Sequence, residues 1–159
     1  MHDLRPNLRP WLWASAVLCG FGIVVSGYLA SKRLTGGSLA CTRWAECDVV
    51  NSSVYSKLFG IPISFIGLAA YLLLLALALA ALRTAGQTQR RILLLSLLLS
   101  LGGVGFSAYL TYIEIYVIEA LCSWCVASAI IITLLAILGV VTVLRSVPNG
   151  KESRWRRGR

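Results

Sequence analysis

Two pairs of cysteines are the residues best suited to chemistry in this chain. Cys122-Ser123-Trp124-Cys125 heads the last long apolar run, and Cys41 and Cys47 lie far upstream in a polar stretch. Cysteine chemistry runs through the thiolate. A free thiol ionises at about pH 8.5, and a helix N-terminus favours its negative form. Residues three apart share a helical face. Cys122 and Cys125 at the opening of a helix therefore suit a redox pair or half of a metal site. Cys41 and Cys47 enclose five residues, too many for one helical turn, and read as a loop pair able to swing between an outside partner and an embedded site.

Disulfide exchange displaces one sulfur by another, so the two pairs can relay. A partner dithiol reduces Cys41–Cys47, Cys47 exchanges with Cys122, and Cys125 resolves that bond. The reduced pair then needs an acceptor. Within a bilayer the natural two-electron acceptor is a quinone, held in an apolar pocket beside Cys125 with a few polar groups. Two other readings stand beside this one. Four thiolates suit a tetrahedral zinc site, although the Cys41/Cys47 spacing is looser than is usual for one. Static disulfides stapling outer loops are the other, although two cysteines only three apart are poorly placed to staple anything distant.

The elements that must position these residues are membrane helices. The chain is 58% hydrophobic and 13% charged, against roughly a quarter charged in soluble domains, and its apolar residues form four long runs. That pattern implies an all-α integral membrane protein, a four-transmembrane-helix bundle, and excludes a barrel. Spans are expected at about residues 11–29, 61–82, 92–112 and 122–144, in a single membrane domain over residues 1–145. The first run is too long for a signal peptide and ends in no small-residue cleavage site, so it is read as retained. A long capping loop, residues 31–60, separates the first two spans. Gly36-Gly37 should stop the helix above it, and the stretch VVNSSVYSKLF, residues 49–59, is expected to form a short helix in the interface. Gly102, Gly103, Gly105, Ser107 and Ala108 should let the third span approach its neighbours closely. Tyr112 and Tyr116 read as interfacial belt, and Tyr109 as inward-facing.

Charge gives the orientation. The net charge is +9, but eleven of the fifteen Lys and Arg fall in the first ten residues, between Arg83 and Arg91, or from Arg145 onward. With four crossings those segments share one side, which the positive-inside rule makes cytoplasmic. Both termini, including a basic tail over residues 146–159, are then cytoplasmic. Four of the six acids, Glu46, Asp48, Glu114 and Glu119, and four of the five cysteines fall on the opposite side, where disulfides persist. The basic excess thus reads as topology and lipid contact rather than nucleic-acid binding. Cys19, within the first run, reads as a small packing residue. Glu114 and Glu119 read first as a solvated turn before Cys122, and second as proton-handling groups. Asp48 should raise the Cys47 thiol by like-charge repulsion.

In the order and wording of these motifs the chain resembles the vitamin K epoxide reductase family in its stand-alone bacterial form. The resemblance rests on Cys41 with Cys47, CDVVNSSVYSKLFG (residues 47–60), SAYL (residues 107–110) and CSWC (residues 122–125). It implies four helices around a quinone of the ubiquinone or menaquinone (vitamin K) type, capped by the long loop. It implies that Cys41 meets a thioredoxin-like extracytoplasmic dithiol protein, that Cys47 exchanges with Cys122, and that Cys125 lies against the quinone ring. Ser53, Phe59 and the position of Ala129 are the implied ring contacts. The activity implied is thiol:quinone oxidoreduction in support of disulfide formation, in a bacterial inner membrane with the site facing the periplasm or exterior. Reduction of a quinone epoxide at the same site is the alternative. The chain departs from animal members where they carry a tyrosine, here Ala129, and an asparagine, here Ile63, and both departures remove polar contacts to the ring. Many bacterial members carry a fused thioredoxin-like domain; here a separate partner is expected.

Overall fold

The computed structural model describes residues 8–41, 47–58 and 60–146. Helix α1, Arg9–Thr35, opens with Pro10 in its first turn and closes on Gly36, whose φ of 64° is the left-handed cap a glycine supplies without strain. The capping segment follows: helix α2, Cys47–Ser52, a 3-10 turn over Val54–Ser56, and strands β1, Lys57–Leu58, and β2, Ile61–Pro62, paired antiparallel. Helix α3 runs Ile63–Arg83 and α4 runs Gly86–Ile113, and α4 continues through a π-helical turn, Glu114–Ile118. Helix α5, Ser123–Ser146, completes the chain as described.

Four of these helical segments are long and apolar enough to cross a membrane, each at or above the roughly 20 residues a bilayer core requires. The chain is an integral membrane protein built on a four-helix bundle. Two boundaries depart from expectation. Helix α1 runs past residue 29 to Thr35, and α4 starts at Gly86 rather than near residue 92. The cause in α4 is local: after Gly86 the Gln-Thr-Gln-Arg-Arg stretch contains no breaker, and Gln and Arg are good helix formers. Gln89 is also buried, and its Nε2 donates to the Ala81 carbonyl at 2.9 Å, satisfying an open carbonyl at the end of α3.

The helices pack in the ring α1–α3–α4–α5, with α5 closing on α1. Small residues set the spacing. A Cβ on Gly22 of α1 would overlap the Tyr71 ring of α3, and one on Gly103 of α4 would come within 2.8 Å of Ile132 in α5. The Tyr71 hydroxyl donates to Ser128, 2.9 Å from both its carbonyl and its Oγ, and so ties α3 to α5 across the bundle. Around Cys19, Tyr71, Leu74, Ile132 and Leu135 the interior is an apolar core. At the end of the bundle opposite Cys122, the Arg145 guanidinium lies 4.7 Å above the Trp11 ring. Tyr112 and Tyr116 are exposed and stack on each other. Tyr109, expected to face inward, is 58% exposed on the outer surface. Its helical face is the lipid-facing one, shared with Leu98, Leu101 and Tyr112.

Candidate active site

The cysteine end of the bundle is assembled from both ends of the sequence. Helix α5 begins at Ser123, so Cys122 holds the N-cap position. The Cys125 backbone N–H points to Cys122 Sγ at 3.4 Å, so the sulfur stands where a Ser or Asp oxygen caps other helices. Cys122 is 1% exposed. The Cys125 thiol donates to the Cys122 sulfur and holds the Cys122 thiol below its ordinary range, against burial, which pushes it up. The pair is therefore poised with its charge on Cys122.

Cys41 and Cys47 are joined by a disulfide, with their Cα atoms 6.2 Å apart. Cys47 Sγ lies 3.6 Å from Ser123 Oγ, immediately beside the inner pair. Cys47 and Cys122 are buried in one cluster with Val25, Leu29 and Val50, and Cys41 and Cys125 pack against it. The loop before Cys41 is fixed by polar contacts. Ala40 donates its N–H to the Tyr28 hydroxyl at 3.0 Å, and its carbonyl accepts from the Trp124 indole at 2.8 Å. The Tyr28 and Trp124 rings touch, 4.9 Å between centroids. Asp48 accepts the Leu39 N–H at 2.8 Å. Its carboxylate thus has a structural use in the loop, distinct from the repulsion of Cys47 anticipated from sequence.

Against the inner pair is a cavity of about 120 Å³, lined by Cys122, by Cys125 and Ser128 of α5, by Ser53 and Tyr55 of the capping segment, and by side chains from α1, α3 and α4. Most of its lining is aliphatic or hydroxylic, and Ser64 Oγ is buried in its wall with no hydrogen-bond partner among the described residues. A buried hydroxyl left unpaired costs about 1–3 kcal/mol; a carbonyl oxygen of a bound ring would satisfy it. Apolar walls, an orphaned donor and two thiols on one side fit a quinone.

A family model described as the vitamin K epoxide reductase family matches residues 13–140. The chain belongs to that family. It is accordingly a membrane oxidoreductase with a cysteine redox centre, in a family associated with quinones.

Of the residues singled out from sequence, the structure brings Cys41, Cys47, Cys122 and Cys125 together and puts Ser53 in the cavity wall. The Ser53 hydroxyl donates to the Val50 carbonyl at 2.8 Å and so closes the end of α2. Phe59 lies outside the described residues. Ala129 is not among the lining residues; its neighbour Ser128, three residues on from Cys125, takes that place. Glu114, read first as part of a solvated turn, is 4% exposed and lines the cavity. That is a correction with a local cause: the helix runs on past Tyr112, and Glu114, helical in φ and ψ, continues the cavity face of Ser107, Leu110 and Thr111, while Glu119 stays exposed with φ 55°. Ser64 was visible in sequence only as a polar residue in the first turn of a span, two residues after Pro62.

Proposed function

We propose that the chain is a thiol:quinone oxidoreductase that draws electrons from a thioredoxin-like extracytoplasmic dithiol protein and supports disulfide formation. Its redox end faces the periplasm or exterior of a bacterial cell membrane, with both termini cytoplasmic. The observation that carries this reading is the gathering of all four cysteines in one packed cluster against a cavity lined by Cys122 and Cys125.

The partner's thiolate attacks Cys41 Sγ and releases Cys47 as thiolate. The partner's second thiol then displaces Cys41 and leaves the partner oxidised. Cys47 attacks Cys122 Sγ of an inner Cys122–Cys125 disulfide, Cys125 departs as thiolate, and Cys41 closes on Cys47 to free Cys122. The outcome is an outer disulfide and an inner dithiol, the arrangement of this structure. A quinone bound in the cavity supplies an acceptor for two electrons and two protons. Ser64 would hold one ring oxygen, and the aliphatic wall would exclude water. Ser53, Phe59 and the α5 face at Ser128 complete the proposed ring contacts. Ile63 and Ala129 offer no polar side chain, which favours plain quinone over an epoxide. The Cys41–Cys47 disulfide withholds two of the four thiolates a zinc site would need.

The test is steady-state turnover of purified protein with a dithiol donor and a quinone. Wild-type protein should oxidise the dithiol only when quinone is present, and Cys125→Ala should not turn over. Sustained quinone-linked turnover by Cys125→Ala would overturn the reading.

A further inference from the structure

The buried acid beside the inner pair has no part in the relay described above. Glu114 Oε2 accepts the Cys122 backbone N–H at 3.1 Å, and its carboxyl shares a hydrogen bond with the Cys125 thiol. Its backbone carbonyl accepts N–H groups from both Glu119 and Ala120, which pins the residue at the junction of α4 and the π-helical turn. Glu114 therefore touches both members of the pair and the cavity they line.

Few other titratable groups line the cavity with it. From α5 they are Cys122 and Cys125, and from the capping segment the phenol of Tyr55; α1, α3 and α4 present only hydroxyls, Ser26, Ser64, Ser107 and Thr111, besides aliphatic carbons. No Lys, Arg or second carboxylate is among the described lining residues. An apolar cavity does not hold a thiolate and a carboxylate side by side without a counter-charge. The reduced pair and Glu114 together then carry one negative charge and two protons.

We propose that Glu114 is a catalytic proton carrier of the inner pair, holding the second of the two protons that must leave with its two electrons. The inference rests on the quinone reading above. In the reduced state Cys122 is a thiolate, Cys125 holds one proton and Glu114 holds the other. When the sulfur–sulfur bond forms, two electrons leave the pair, one proton leaves Cys125 Sγ and one leaves the Glu114 carboxyl, and a quinone takes up both electrons and both protons. What is left is a disulfide and a carboxylate, with the single negative charge moved from sulfur to oxygen. The next dithiol delivered through Cys47 brings two protons, one for Cys125 and one for Glu114. Charge and hydrogen balance at each stage, and at no stage does a bare thiolate pair form in an apolar site.

Glu114→Gln keeps an acceptor for the Cys122 N–H but has no proton to give. In protein carrying Cys41→Ser and Cys47→Ser, with no quinone present, the midpoint potential of Cys122–Cys125 is measured as a function of pH. The range chosen is one in which alkylation shows Cys122 to be ionised. Wild-type Glu114 should give two protons per two electrons, and Glu114→Gln should halve that slope. In a single turnover with quinone, Glu114→Gln should close its disulfide about 100-fold more slowly, on the scale of losing a general acid. A one-proton slope with Glu114 in place overturns the proposal without need of any variant. Equal slopes, with equal rates, for Glu114 and Gln overturn it as well while leaving quinone reduction standing. Failure of the wild-type protein to transfer electrons to quinone at all overturns the reading beneath it.

Discussion

Cys19 and Cys122 are equally buried, each 1% exposed, yet they differ in every property that governs sulfur chemistry. Cys19 lies in the middle of α1, packed against Tyr71, Leu74, Ile132 and Leu135, beside a void of only about 20 Å³. Cys122 stands at the opening of α5, capped by its own turn, hydrogen-bonded to a second thiol, and open to a cavity of about 120 Å³. Depth from solvent is thus a poor guide to reactivity. A sulfur becomes useful where a helix begins, where a second thiol shares its proton, and where there is room for an acceptor. The core around Cys19 holds helices together; the Cys122 end holds an opening between them.

Substitutions should separate the two regions. The largest contrast is in turnover. Cys122→Ser or Cys125→Ala should lower quinone-linked dithiol oxidation on the order of 10⁴-fold or more, the scale of removing a nucleophile. Cys19→Ala should leave turnover within about twofold and lower stability by about 1 kcal/mol, as small core deletions do. Comparable losses at Cys19 and Cys122, read in the same assay, would erase the distinction. Next in size is Ser64→Ala, which should raise the quinone KM by about tenfold, the loss of one buried hydrogen bond, with little change in kcat. Gly22→Leu drives a side chain into the Tyr71 ring and should cost about 1–3 kcal/mol, as overpacking does. That change, read as a lower unfolding midpoint in detergent, should leave the kcat of the surviving folded protein intact. The smallest effect concerns pH. The Cys122 thiol lies low because Cys125 donates to it, so its thiolate persists as pH falls below the range of an ordinary thiol. The midpoint of Cys122 alkylation in the reduced pair should move up in Cys125→Ala; an unchanged midpoint would assign the effect to the helix end alone.

Much of this arrangement was legible in the sequence because membrane physics leaves few choices. Four long apolar runs fix four helices, and the cysteine pairs at their outer ends fix where chemistry can occur. Boundaries set by side-chain capping were not legible: Gln89 reaching Ala81 lengthens α4, and nothing in the hydropathy shows it. The short β1–β2 pair is set by main-chain pairing across Gly60, whose φ of 83° permits the tight turn, and it was not anticipated. Glu114 was misplaced for a similar reason. Composition puts an acid in a polar turn, whereas the helix continues past Tyr112 and keeps Glu114 on the face of Ser107 and Thr111. Tyr109 shows the converse: helical spacing alone does not say which face meets lipid.

The central claim is that electrons pass from Cys122 and Cys125 to a quinone held between the helices. It is tested most directly by anaerobic mixing of quinone-loaded Cys41→Ser/Cys47→Ser protein, its inner pair reduced beforehand, while the quinone absorbance is followed with no other donor present. One quinone should be reduced per protein as one Cys122–Cys125 disulfide forms, and Cys125→Ala should leave the quinone oxidised. Quinone that stays oxidised beside a reduced inner pair, or is reduced equally without Cys125, would contradict the account.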